Sequence, residues 1–70
     1  GIAGLDDMTA RPVIGNRVEI GAGAVIVGKL AIGDDAVIGA NAVVTKTVPP
    51  GAIMGGVPAR LIRQKPLGGL

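Results

Sequence analysis

The sequence predicts an all-β solenoid, a short ribbon wound around its own axis, and three observations carry that prediction. Six hexapeptides run in unbroken register over residues 14–49, opening at Ile14, Ile20, Ile26, Ile32, Ile38 and Val44. The fifth position of each is a small or medium apolar residue: Val18, Ala24, Leu30, Ala36, Ala42 and Val48. The second position is glycine in four of the six, at Gly15, Gly21, Gly33 and Gly39. A fixed short period of this kind is the signature of stacked repeats.

The period also says what each repeat is made of. Helical packing needs apolar residues every 3.6 positions, and a strict period of six does not sustain one helical face. Side chains alternate along a strand, so a first and a fifth position share one inward face with polar residues between them. Glycine directly after the inward residue lets the backbone turn where a Cβ would clash. Each unit is then one short strand and one tight turn, and successive coils stack at the ordinary inter-strand spacing of ~4.8 Å.

Taken in order, residues 1–13 read as an N-terminal loop. Ile2 and Met8 fall in the six-residue register, but their fifth positions are Asp6 and Pro12. Residues 14–49 are the solenoid. Pro49-Pro50-Gly51 should end it, because two prolines remove backbone donors and fix a turn. Residues 50–63 are expected to fold back as a cap over the last coil, whose edge is otherwise open. The tail, residues 64–70, carries Pro66, Gly68 and Gly69 and reads as flexible.

Composition narrows the functional classes. Seventy residues make one domain, and a domain this small buries too little surface to be comfortably stable alone. With no Cys and no His there is no disulfide and no structural zinc to staple it, so oligomerisation is the expected source of further burial. Aromatic residues are absent too, in keeping with a narrow interior filled by Ile and Val. The longest apolar stretches, residues 20–28 and 36–44, are about half of a membrane span, and no charged segment leads into an apolar core at the start. The chain opens with Gly1 rather than Met, as a fragment or a processed product would.

The register of Ile-Gly-x-x-Ala-Val units, followed by Val44-Thr45-Lys46-Thr47-Val48-Pro49-Pro50-Gly51-Ala52 and by Gly56-Val57-Pro58-Ala59-Arg60, resembles the hexapeptide-repeat acyltransferases. Within them it is most similar to the serine acetyltransferase and sugar O-acetyltransferase branch, and the likeness covers residues 12–63. The resemblance implies a left-handed parallel β-helix, three hexapeptides per coil, assembled as a homotrimer. Its handedness departs from the right-handed rule for parallel crossovers and comes from the resemblance alone.

The same resemblance implies acetyl-CoA as acyl donor, lying in a groove between neighbouring subunits. Carried over position by position, its contacts would be Ala22, Ala40, Thr45, Lys46, Arg60 and Arg63. Small side chains at Ala22 and Ala40 would let a pantetheine arm approach the main chain, and Lys46, Arg60 and Arg63 suit phosphate through charge-assisted hydrogen bonds. Charge is distributed accordingly: residues 1–35 hold three cations against five carboxylates, whereas residues 36–70 hold four cations and no acid. The plain alternative is a set of solvated charges that keep an apolar chain in solution. Four scattered cations with no aromatic residue make a poor nucleic-acid footprint, so no nucleic-acid or membrane partner is expected. CoA use would place the protein in the cytoplasm.

Catalysis is less legible. Acyl transfer from a thioester to a hydroxyl needs a general base of near-neutral pKa, usually His, and this chain has none. Serine acetyltransferase-like sequences carry a His before the proline at the position of Pro12; here that residue is Arg11. A guanidinium stays protonated and cannot be the base, but Arg11 could hold an anionic acceptor or a developing oxyanion. Asp6 and Asp7 are weaker candidates for a base, since adjacent loop carboxylates are usually polar surface. The catalytic residues therefore stay unknown. Other readings fall quickly: Gly21-Ala-Gly23 lacks the third glycine of a dinucleotide fingerprint, and zinc chemistry would need His ligands.

Two readings from different classes follow. The chain is the acetyl-CoA-binding, C-terminal part of an O-acetyltransferase; or it is a catalytically inactive trimeric β-helix that serves as a CoA-binding or structural module.

Overall fold

A computed structural model describes residues 11–66, and among them every regular element is a strand. Six two-residue strands come first: β1 (Val13–Ile14), β2 (Glu19–Ile20), β3 (Val25–Ile26), β4 (Ala31–Ile32), β5 (Val37–Ile38) and β6 (Val43–Val44). Two longer ones follow, β7 (Ala52–Gly55) and β8 (Arg60–Gln64). Each short strand is the last residue of one hexapeptide and the first of the next; the four residues between are turn.

The pairing shows how the ribbon coils. β1 pairs in parallel with β4, β2 with β5 and β3 with β6, each with partners 18 residues apart, as in Ile14–Ile32, Ile20–Ile38 and Ile26–Val44. Eighteen residues are three hexapeptides, so each circuit has three flat faces joined at three corners. The first corner is built by residues 15–18 and 33–36, the second by 21–24 and 39–42, and the third by 27–30 and 45–47.

First- and fifth-position side chains fill the interior. Ile26, Ile32, Ile38 and Val44 are buried, and Ala24, Ala36 and Ala42 stack beside them. Each fully buried Ile or Val contributes about 1.5–3 kcal/mol, and the alanines keep the coil narrow. Ile14 and Ile20 occupy the same repeat position in the first coil but remain 44% exposed, because they are packed by a coil on one side only among the described residues.

The solenoid does not end at Pro49-Pro50-Gly51. Val48 forms a parallel bridge with Ile32, 16 residues back, and β7 pairs with β5 at the same offset, Val37–Ile53 and Ile38–Met54. The third corner is two residues shorter in this coil, and the register resumes beyond it. Val48 is therefore the first residue of a unit rather than the fifth of the sixth unit, and Ala52, fully buried, is the fifth. Spacing could not separate the two assignments, since both positions are apolar and point inward. The prolines are tolerated because they sit in a corner, where no ladder donor is required.

Beyond β7 the chain turns at residues 56–59 and returns as β8, antiparallel to β7 and outermost in the order β2-β5-β7-β8. Gln64 and Lys65 belong to the ordered body rather than to a flexible tail. The Gln64 side-chain amide donates to the Pro50 carbonyl at 2.7 Å, and the Lys65 N–H donates to the Gly51 carbonyl at 2.9 Å. Residues 67–70, with most of the expected N-terminal loop, lie outside the described residues.

The second-position glycines answer to the coil above. A Cβ on Gly21 would stand 2.5 Å from the Ala40 nitrogen and 2.8 Å from its Cα; one on Gly33 would stand 2.6 Å from the Pro50 Cα. Both obstacles are backbone, so the requirement is close approach between coils, not an unusual φ.

Candidate functional site

The three corners are chemically different, and the predicted site residues, Arg63 apart, divide between two of them. At the first corner Arg17, Asp35 and Gly51 stack in the left-handed region, with φ of 55°, 63° and 70°. The Arg17 Nε donates to Asp35 Oδ1 at 2.7 Å and Nη2 to Oδ2 at 3.1 Å, a two-pronged ion pair between coils. This hydrogen bond, with the attraction of the guanidinium, holds the Asp35 carboxyl below its ordinary value of 3.8. Beside it, Asp34 Oδ1 accepts the Asn16 N–H at 2.6 Å. These charges are occupied with holding coil to coil.

The second corner is small and uncharged. Ala22 and Ala40 are both exposed and stand one coil apart, and the Asn41 N–H donates to the Ala22 carbonyl at 2.9 Å. Above them comes the return of the chain. The Gly39 N–H donates to the Met54 carbonyl at 2.8 Å, and Gly55 pairs with Arg60. Arg60 therefore sits at the upper end of the column that Ala22 and Ala40 begin. Arg63 does not. It pairs with Ile53, three residues along β8, or ~10 Å towards the first corner at 3.3 Å per residue.

Thr45 and Lys46 lie at the third corner, separated from Ala22 and Ala40 by the face that β3 and β6 form. Within one chain these residues do not converge on one point. The upper edge of that face is closed by the 56–59 turn, where the Val43 N–H donates to the Gly56 carbonyl at 3.0 Å and the Ala59 N–H to the Val43 carbonyl at 2.8 Å.

What presents Lys46 is its neighbour Thr47, whose role was not anticipated from sequence. The Thr47 hydroxyl accepts the Ala31 N–H at 3.2 Å. The corresponding donor one coil below, Val13 N–H, goes to the Leu30 backbone carbonyl at 2.9 Å. In the shortened corner a side-chain oxygen thus replaces a main-chain one. Spacing gave no signal of this: Val48 follows Val44 by four residues, as every fifth position follows its first, and only the bridge to Ile32 exposes the shortened corner.

Arg11 is exposed and precedes β1. The β1–β4 register places it one coil below Lys29, at the third corner. Asp6 and Asp7 lie outside the described residues. Among the described residues no group of three His, Cys, Asp or Glu could hold a metal ion.

Comparison with known proteins agrees with this architecture. Residues 11–46 match the sequence model of the bacterial transferase hexapeptide family (six repeats). The chain is 57% identical over 53 residues to a serine acetyltransferase of Mycobacterium tuberculosis, covering 76% of this chain and 23% of that protein. Among solved structures it resembles a galactoside acetyltransferase in complex with coenzyme A, with a TM-score of 0.74 and 49% identity over 76% of this chain and 26% of that one. It also resembles a Neisseria gonorrhoeae serine acetyltransferase, with a TM-score of 0.83 and 38% identity over 97% of this chain and 28% of that one. The chain thus spans about a quarter of the length of the proteins it matches. At these identities the likeness carries the fold, a left-handed parallel β-helix. With the 18-residue register, the close-approach glycines and the matched repeats all falling on the same residues, the chain belongs to the bacterial transferase hexapeptide family.

Proposed function

We propose that this chain is the acetyl-CoA-binding part of an acetyl-CoA-dependent O-acetyltransferase that works as a homotrimer in the cytoplasm. The observation that carries the reading is the split of the site between two corners. A column of small residues, Ala22 and Ala40, ends at Arg60, and Thr45-Lys46 stands across the β3–β6 face. Two half-sites at different corners of one coil suit a groove between copies, in which the second corner of one chain faces the third corner of the next. The pantetheine arm would lie against the Ala22–Ala40 backbone. Lys46 and Arg60 would take phosphate oxygens through charge-assisted hydrogen bonds, and Arg63, which pairs with Ile53 away from the column, would reach only a more distant part of the ligand. The resemblance to a galactoside acetyltransferase solved with coenzyme A supports the choice of ligand.

In the reaction a general base removes the acceptor's hydroxyl proton, the oxygen attacks the thioester carbonyl, and the CoA thiolate leaves and is protonated. The chain contains no histidine, so these 70 residues do not supply the usual imidazole base. Arg11 contributes charge, to an anionic acceptor or to the oxyanion that forms during attack. The similar proteins named above are a serine acetyltransferase and a galactoside acetyltransferase, and their likeness supports a hydroxyl acceptor over an amine for this chain. The lack of histidine also favours a second reading, a catalytically inactive trimer that keeps CoA binding or only the solenoid.

Calorimetric titration of acetyl-CoA, with the solution mass recorded alongside, tests the proposal. Saturable binding to a trimer, weakened about tenfold by Lys46→Ala, is expected. A trimer that ignores acetyl-CoA would leave only the structural reading, and a monomer that binds it undiminished by Lys46→Ala would remove the shared groove.

A further inference from the structure

Between Arg11 and Lys46 the third corner carries a further cation, Lys29, that the acetyl-CoA reading does not use. Ile26 pairs with Val44, and Ile32 with Val48. Between these two fixed points the lower coil spends residues 27–31 and the upper coil only residues 45–47. The lower turn must bulge past the upper one, so Gly28 and Lys29 form a ledge beneath Lys46. The ledge is open: a Cβ built on Gly28, at φ 90°, meets no atom within 4 Å. Lys29 and Lys46 are both exposed and rooted one coil apart, ~4.8 Å in rise. Neither has a carboxylate partner among the described residues. The first corner, by contrast, answers Arg17 with Asp35 across the same spacing. Like charges stacked on adjacent coils repel, and what relieves them is a shared counter-anion.

We propose that Lys29 and Lys46 together bind one phosphate group over the Gly28 ledge, and that Lys29 is a phosphate contact of this chain in its own right. The identity of the phosphate as part of acetyl-CoA rests on the reading above; the anion site itself rests on the ledge and the two lysines.

The test compares acetyl-CoA with acetyl-pantetheine, which has the same thioester and arm but no phosphate, on the wild-type protein and on Lys29→Ala. Lys29→Ala is expected to weaken acetyl-CoA by roughly five- to tenfold, to leave acetyl-pantetheine unchanged, and to flatten the salt dependence of acetyl-CoA binding. Lys29→Arg should retain most of the affinity. If Lys29→Ala binds acetyl-CoA as the wild type does, or loses both ligands equally, the inference falls while the acetyl-CoA reading stands. If the wild type binds neither, that reading falls, and titration with inorganic pyrophosphate decides the site. Saturable shifts of the Gly28 and Lys29 amide resonances, absent in Lys29→Ala, would uphold it, and their absence in the wild type would overturn it.

Discussion

The first and third corners perform the same task, turning the chain between two faces, with opposite means. The first keeps its four residues in every layer, 15–18, 33–36 and 49–52, and begins with a glycine in the lower two, Gly15 and Gly33. The coil above presses directly on those glycines, and its charges are matched in the Arg17–Asp35 pair. The third has no glycine in the second position, where Val27 and Thr45 stand instead. It sheds two residues between one coil and the next, closes with the Thr47 hydroxyl, and leaves Lys29 and Lys46 facing outward. The inward residues at both corners are alike. The interior is therefore indifferent to which corner it serves, and functional variety is written into the turns.

That contrast can be broken at its strongest point with two glycines. Gly33→Ala puts a Cβ against the Pro50 backbone and is expected to destabilise by about 3 kcal/mol, near the upper end for an overpacked site. Gly28→Ala meets no atom, and its cost should be only the left-handed conformation, about 1–2 kcal/mol. Denaturant melts of the two variants measure the difference. Equal losses would mean that the corners are not governed by separate constraints.

Thr47 offers a finer probe. Thr47→Val keeps the shape but removes the acceptor for the Ala31 N–H, and should cost about 1 kcal/mol, whereas Thr47→Ser should be close to neutral. A harmless valine would show that the shortened turn holds itself without the hydroxyl.

The smallest effect belongs to the ion pair of the first corner. Asp35 is held below its ordinary value of 3.8, first by the hydrogen bond from Arg17 and then by its charge. Its contribution is thus complete above that value and is lost as pH falls through the lower folded value. Acid melts of Asp35→Asn against the wild type should begin to converge as pH falls below 3.8 and differ slightly above it. Both partners are exposed, so the difference is small. A gap that widens in acid would contradict the pair.

Much of this fold was legible in the residues themselves. Ile26, Ile32, Ile38 and Val44 were placed inward by period alone, and each is buried. What period could not show was the slip between Val44 and Val48. An apolar residue four places on fits the fifth position of one unit as well as the first position of a shortened next one. Only pairing with Ile32 decides between them. The arrangement of the candidate residues was legible in a different sense. Resemblance put Ala22 and Ala40 at one coil's separation, and the structure gives them that separation at the second corner. It could not show that Thr45 and Lys46 belong to another corner, because position along the chain carries no record of which face intervenes. The reason for the glycines was likewise half visible: the sequence pointed to a tight turn, and the obstacle proved to be the neighbouring coil.

The 18-residue circuit sets a rule for how such a molecule can be lengthened. Inserting one whole circuit would return each corner to its own column and add one step of ~4.8 Å, so a neutral edge stays neutral and a cationic edge stays cationic. An insertion of six or twelve residues would instead rotate the corners out of their columns and scramble their chemistry. The circuit of 16 leaves no such freedom, because its shortened turn has to lie over the ledge at Gly28. Growth by duplication is thus open below that turn and closed at it, and any groove running along the axis changes its length in whole coils.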